Sequence, residues 1–281
     1  VSQPPRNNRP PRRLAAPRQD RQPEDAPRQG REGRAQRAGW DPLAGWYDGW
    51  MGKDGSKHHK RLAVPQAASL LDLQEGESLL DIGCGQGVFV PSTLNAGGRY
   101  TGVDVSPKLL ELGREHHSKD AAFIQGDACK LELTRGLTQH SYDAALFLLS
   151  IQDINPLDSA IRGAAWALKK GGRVVLVMTH PAFRIPRQSG WGFDEGRKLT
   201  YRRIDRYLTP LPIPMKTYQG QEGVSISFHR PISDYINTLG EYGLMVDAMR
   251  EIQSFKADDP ASDNPAEKEI PLFLGLRAIK V

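Results

Sequence analysis

From Ser78 to Thr179 short, almost continuously apolar runs alternate with longer amphipathic ones. The apolar runs Ser78–Ile82, Tyr100–Val105, Ala122–Gln125, Asp143–Ser150 and Arg173–Thr179 predict five strands. A run apolar at successive positions suits a strand covered on both faces. Between them the pattern predicts helices. One spans Gln86–Asn95. Another opens at Ser106-Pro107, with Ser as N-cap and Pro in the first turn, and runs to about His117. A third opens at Asn155-Pro156, runs to Lys169-Lys170 with cations at its negative end, and stops at Gly171-Gly172. Upstream, Ser56–Leu73 predicts a helix kinked at Pro65. Downstream, Pro231–Tyr242 predicts a helix, and Leu244–Ile252 and Leu272–Lys280 two late strands. Strand-helix alternation means an α/β fold with a parallel sheet, its helices on both faces. Right-handed crossovers then bring the carboxyl ends of the strands to one edge, where a ligand sits.

The rhythm breaks at His180. Residues 181–230 are rich in Pro, Arg and aromatics, and alternate in Leu199–Leu208 and again in Val224–Phe228. They predict an inserted two-stranded cap over the ligand-binding edge. Its Arg and aromatic side chains suit a planar or apolar acceptor carrying a carboxylate or phosphate. A small satellite core with a basic outer face is the competing reading.

The charge has a location. The chain of 281 residues carries +5, and residues 1–39 alone hold ten Arg against four acids, so residues 40–281 are about −1. Residues 1–39 also hold seven Pro and one large aliphatic residue, Leu14. Such a segment is expected to stay disordered, because it buries too little to offset its ordering entropy. No aromatic interrupts its arginines, which favours a solvated leader over an RNA- or membrane-binding arm. The organisation is then a tail (1–39) and a domain (40–281), with an N-terminal helical cap (40–75) and the inserted cap (181–230). Two Cys in a chain this long argue against a disulfide framework, and no apolar run is long enough to span a membrane or to form a signal-peptide core. A cytoplasmic setting with no membrane partner is expected.

The chemistry starts at Asp81-Ile82-Gly83-Cys84-Gly85-Gln86-Gly87. A glycine turn between a strand and its helix lets a ligand approach the backbone. The spacing is not the G-x-G-x-x-G of dinucleotide-binding dehydrogenases, since Val88 holds their third position. Asp81, just before the turn, is ill placed for a pyrophosphate and well placed for an ammonium group. Asp104 ends the second strand, where an acid can accept from both ribose hydroxyls. Asp127 follows the third, where a carboxylate can accept from an adenine amino group.

Leu79–Phe89 (LLDIGCGQGVF), Val103–Pro107, Gly126-Asp127-Ala128, Tyr142–Ile154 and Leu168–Val175 (LKKGGRVV) together resemble the class I S-adenosylmethionine-dependent methyltransferases, in particular their small-molecule branch. The resemblance covers about residues 76–180. It implies a Rossmann-like doubly wound seven-stranded sheet of order 3-2-1-4-5-7-6, here with the inserted β cap after strand five. It implies S-adenosylmethionine as cofactor. Gly83, Gly85 and Gly87, with Cys84 and Gln86 between them and Asp81 before them, would carry its methionine end. Asp104 with Val105 and Ser106 would carry the ribose, Asp127 with Ala128 the adenine, and Phe147 and Leu148 would flank it. Tyr47 matches a tyrosine that closes over the cofactor.

Transfer to a hydroxyl or phenol is helped by a general base. Asp153, His180 and His229 stand where the ligand edge should be, and His180, at the end of strand five, is the first choice. His58 and His59 are simplest as exposed helix residues. No metal site is expected. The implied activity is methyl transfer to a small-molecule acceptor. An RNA or protein methyltransferase using the basic tail, or a nicotinamide-dependent oxidoreductase, are the alternatives; the near-neutral body makes nucleic acid an unfavoured partner. The identity of the acceptor and the oligomeric state are not legible.

Overall fold

The computed structural model describes residues 40–52, 55–117, 121–215, 225–254 and 266–281. The tail 1–39 and Val224 of the second alternating stretch lie outside them. The strands are β1 (Ser78–Ile82), β2 (Arg99–Asp104), β3 (Ala121–Gln125), β4 (Tyr142–Leu148), β5 (Leu168–Thr179), β6 (Ser189–Asp194), β7 (Leu199–Ile204), β8 (Leu211–Pro214), β9 (Ile226–His229), β10 (Leu244–Ile252) and β11 (Phe273–Lys280). The helices are α1 (Ala44–Met51), α2 (Val64–Leu71), α3 (Val90–Asn95), α4 (Pro107–His117), α5 (Leu157–Ala167), α6 (Ile232–Glu241) and the short α7 (Ala266–Glu269).

One seven-stranded sheet has the order β10-β11-β5-β4-β1-β2-β3. Counting only its own strands, that is 3-2-1-4-5-7-6, the order implied by the sequence. Strands β1 to β5 run parallel, and β11 lies antiparallel between β5 and β10. The period of two explains the unbroken apolar runs. Along β5, Val174, Leu176 and Met178 enter the core beneath α5 and α6, while Val175 and Val177 enter the core beneath α2 and α4. Both faces are covered from Val174 to Met178, so every position in that stretch is apolar. Leu70, Leu71, Leu79, Leu80 and Leu146 are fully buried, and each such side chain contributes about 1.5–3 kcal/mol.

Polar groups fasten the amino-terminal edge of the sheet, away from the ligand side. Arg173 donates to the carbonyls of Leu71 and Asp72 at the end of α2 and pairs with Glu77 at 2.5 Å. A cation there complements the negative helix end. Asp143 accepts from the amide and hydroxyl of Ser78 and from Lys169.

Five local expectations change. The cap is not one two-stranded unit. It is two hairpins, β6–β7 and β8–β9, so the alternating stretch around β7 pairs with 189–194 and not with the stretch around β9. The helix after the glycine loop starts at Val90 rather than Gln86, because the loop spends residues 83–89 in turns. α5 stops at Ala167, and Leu168 to Gly172 already belong to β5, with an irregular register opposite Tyr142 and Ala144. The residue before α5 is Pro156 in extended conformation, not Asn155. Upstream of α2 the chain makes a π-helical turn, His59–Ala63, and Pro65, which has no N–H to donate, falls in the first turn of α2 just after it.

Candidate active site

The carboxyl edge of the sheet opens into a cavity of about 560 Å³. Its first half is built by the ends of β1, β2 and β3. Gly83, Gly85, Asp104, Val105, Asp127 and Ala128 line it. Gly83, Gly85 and Gly87 all have positive φ (71°, 55° and 81°), which glycine adopts without cost. A Cβ on Gly83 would stand 2.7 Å from Cβ of Ser150, and one on Gly87 2.7 Å from the Phe123 ring. The loop is thus pressed between the turn after β4 and Phe123 of β3, with Gly83 and Gly85 facing the cavity.

Asp104 is buried at the end of β2. Its Oδ2 accepts from the Gly85 amide at 2.9 Å and its Oδ1 from the Ser106 amide at 2.9 Å. Burial raises its carboxyl above the usual range, while these backbone donors oppose the rise. Each oxygen keeps a lone pair in reserve, which fits a diol. Asp127 is exposed and caps the turn after β3 through the Cys129 amide. Ser106 accepts from the Leu109 amide, as an N-cap should, and its hydroxyl donates to Asp41.

Asp81 is buried beneath the loop and is not part of the lining. Tyr100 donates to its Oδ2 at 2.8 Å, and its Oδ1 has no partner among the described residues. Burial, aided by nearby Asp104 and opposed by the Tyr100 bond, raises its carboxyl to about 7. An orphaned buried acceptor beside the loop fits a cationic group close by. Cys84 is buried and its thiol is pushed up by burial, so it is an inert small residue. Gln86 is buried too, its amide donating to the Gly52 carbonyl. Leu148 lines the cavity. Phe147 does not: it is fully buried on the α5 side of β4. Tyr47 falls in α1, and its side chain lies outside the described structure.

The second half is built by the turn after β4, the paired ends of β5 and β11, and the segment before α2. Asp153 stands in its wall with Gln152, and Thr179 and Phe273 close it. Burial raises the Asp153 carboxyl to about 8, against the pull of nearby Arg230. The buried Arg230 donates to the Ile154 carbonyl at 2.7 Å and to Asn155 Oδ1 at 3.0 Å, so the chain leaving β9 fixes the turn that carries Asp153.

The histidines are placed differently from their expected positions. His180 and His229 are buried outside the lining. Nδ1 of His180 accepts from the Ala182 amide at 3.2 Å, and Nε2 meets Glu251 at 3.0 Å. Both ring nitrogens are engaged, and burial lowers the pKa. Nε2 of His229 meets the Tyr207 carbonyl at 2.7 Å. By contrast His58 and His59 line the cavity together with Ser56 and Trp40. His59 is buried, with Nδ1 2.9 Å from the Ser56 hydroxyl, and burial with His58 nearby lowers it to about 4. His58 meets the Phe273 ring edge-on. The Ser-x-x-His spacing at one helical turn was the available signal. His59 is the first residue of the π-turn and is buried. No group of side chains among the described residues could hold a metal ion, and no described helix is long and apolar enough to cross a membrane.

Comparison with known proteins agrees with this geometry. Residues 80–176 match a family profile described as a methyltransferase domain. A demethylmenaquinone methyltransferase of Tropheryma whipplei (strain Twist) is 29% identical over 119 residues, 41% of this chain and 47% of that protein. A ubiquinone biosynthesis O-methyltransferase of Xanthomonas oryzae pv. oryzae (strain PXO99A) is 26% identical over 140 residues, 48% of this chain and 58% of that protein. The chain spans about half the length of the curated relatives it matches. Among solved structures, an S-adenosylmethionine-dependent methyltransferase from Mesorhizobium loti superposes with a TM-score of 0.65 at 26% identity, covering 81% of this chain and all of that one. With the strand order, the glycine loop and the acids of β1 to β3, these likenesses assign the chain: it carries a class I S-adenosylmethionine-dependent methyltransferase domain.

Proposed function

We propose that the chain transfers the methyl group of S-adenosylmethionine to a small-molecule acceptor held in the β4–β5–β11 half of the cavity. One observation carries the reading. A single cavity joins the glycine loop and Asp104 to a second half that contains Asp153, His58 and His59 beside Phe273 and Leu272. The roles follow from position. Gly83, Gly85 and Gly87 with Cys84 and Gln86 hold the methionine portion through backbone, and Asp81 balances its positive end from below. Asp104, Val105 and Ser106 hold the ribose. Asp127 and Ala128 hold the adenine, with Leu148 against it. Phe147 supports this wall from the core. Tyr47, on α1, is kept as a residue that closes the site.

The cofactor supplies a methyl group already activated by its sulfonium, so the protein has to align the acceptor and keep water away. Asp153 is a carboxyl in the wall that burial raises to about 8, and in its ionised form it can take a proton from an acceptor hydroxyl. His180 and His229 are better suited to holding the ends of β5 and β9 in place. The quinone-pathway methyltransferases among the relatives support a small organic acceptor of the same kind. Two free cysteines suit a cytoplasmic setting.

Titration calorimetry tests the reading. S-adenosylhomocysteine is expected to bind at micromolar levels or better, and NAD not to bind. Asp104→Ala should weaken the former roughly tenfold to a hundredfold, the worth of one or two charge-assisted hydrogen bonds. Tight NAD binding, or an Asp104→Ala protein with unchanged affinity, would overturn it.

A further inference from the structure

The β6–β7 hairpin lies outside the cavity's lining, and its composition is unlike that of the rest of the domain. Trp191, Phe193, Leu199, Tyr201 and Ile204 are between 37% and 58% exposed, and Leu208 just beyond is 77% exposed. The register places Trp191 and Phe193 on one face with Arg202 and Ile204, and Leu199 and Tyr201 on the other with Arg203. Apolar groups therefore stand in solvent on both faces of a two-stranded ribbon, which a ribbon gains nothing from by itself.

The charge around it is equally local. Between residues 184 and 215 seven Arg and Lys stand against three Asp and Glu, a net of +4, whereas residues 40–281 together carry −1. The remainder of the domain is accordingly at −5. Ion pairs such as Arg203–Asp205 and Lys198–Glu195 leave this excess intact. The ribbon is also fixed at its base. Arg184 donates to the carbonyls of Pro271 and Ile270, and Arg202 to the Phe183 carbonyl. It is presented, not dangling.

We propose that this hairpin is a docking element for an anionic phospholipid surface. Aromatic tips beside arginines suit the headgroup boundary, where rings and aliphatic chains gain by burial and guanidinium groups by attraction to phosphate. The aliphatic residues favour lipid over nucleic acid, because Leu199, Ile204 and Leu208 cannot stack on bases. The Trp191 ring already has two guanidinium groups over it, at 5.2 and 5.1 Å. Self-pairing of two +4 hairpins is opposed by repulsion. The lack of a spanning helix concerns crossing a bilayer, not resting on one. The inference stands apart from the cavity and from the acceptor's identity.

Vesicle co-sedimentation of the full chain tests it, using phosphatidylcholine vesicles with and without phosphatidylglycerol. The protein should sediment with the anionic vesicles and not the neutral ones, and less as salt is raised. Phe193→Ser combined with Leu199→Ser replaces two exposed side chains, keeps the Arg-rich residues 1–39, and should weaken sedimentation about tenfold. S-adenosylhomocysteine binding, measured on both proteins, reports folding and the cavity reading separately. Absence of binding to anionic vesicles overturns the proposal, as does a double variant that sediments like the parent. It is likewise overturned if the double substitution abolishes binding to a single-stranded RNA oligomer, or self-association in sedimentation equilibrium, while vesicle binding is unchanged.

Discussion

Asp81 is buried and Asp153 half-buried in the cavity wall, and desolvation raises both carboxyls above the ordinary 3.8, Asp153 to about 8 and Asp81 to about 7. The native state therefore keeps protons that the unfolded chain has already released. Stability from these two groups is full at low pH and declines as pH rises from about 4 toward 8. Asp153→Asn should flatten part of that decline, read as the thermal midpoint across this window; an unchanged slope would mean that the carboxyl is not held out of solvent. If Asp153 also takes the acceptor's proton, turnover rises with pH through about 8, and the substitution removes that rise. At this scale the sequence was informative where residue type and element end coincide. Asp104 was legible because it ends an unmistakable strand. His180 was a reasonable choice on the same ground, yet Glu251 and the Ala182 amide take both its nitrogens, and Glu251 lies 71 residues away. No local pattern reports such a partner.

The glycine loop acts as an element through its fit against the turn after β4. Gly83→Ala sets a Cβ 2.7 Å from Ser150, at φ 71°. It should cost about 1–3 kcal/mol, seen in the urea midpoint, and should weaken S-adenosylhomocysteine binding. Gly76→Ala is the control. Its φ is 80° but nothing lies within 4 Å of the new Cβ, so it should cost about 1 kcal/mol and leave binding unaltered. Equal effects of the two on binding would deny the loop its role. The parallel strands were legible because burial on both faces writes itself as a continuous run. The hairpins were not paired correctly. Their strands alternate alike, exposed residues break the pattern, and choosing a partner depends on turn positions that alternation does not encode. The π-turn before α2 was hidden for a related reason, since one extra residue per turn shifts which side chains face inward without changing composition.

For the molecule as a whole, the buried sheet and the exposed hairpins should differ in local stability. Amides of β1, β4 and β5 lie in a sheet closed by both cores, and those of β6 and β7 in a ribbon open to solvent. Native-state hydrogen exchange should place the first group near the global unfolding free energy and the ribbon orders of magnitude faster. Uniform protection would mean that the ribbon is covered in the free protein. Net charge is informative at this scale only when divided: the +5 of the whole chain is +6 in residues 1–39, +4 in residues 184–215 and −5 in the remainder.

β11 enters the sheet between β5 and β10 and follows every other strand in sequence. Its first residue, Phe273, closes the end of the cavity proposed for the acceptor, beside Thr179. While the chain is being made, the glycine loop and its acids emerge early, with an unfilled slot where β11 will lie and two bare strand edges flanking it. The half of the cavity proposed for the cofactor thus precedes the half proposed for the acceptor. The acceptor end is finished by one of the longest-range events in the assembly of the fold.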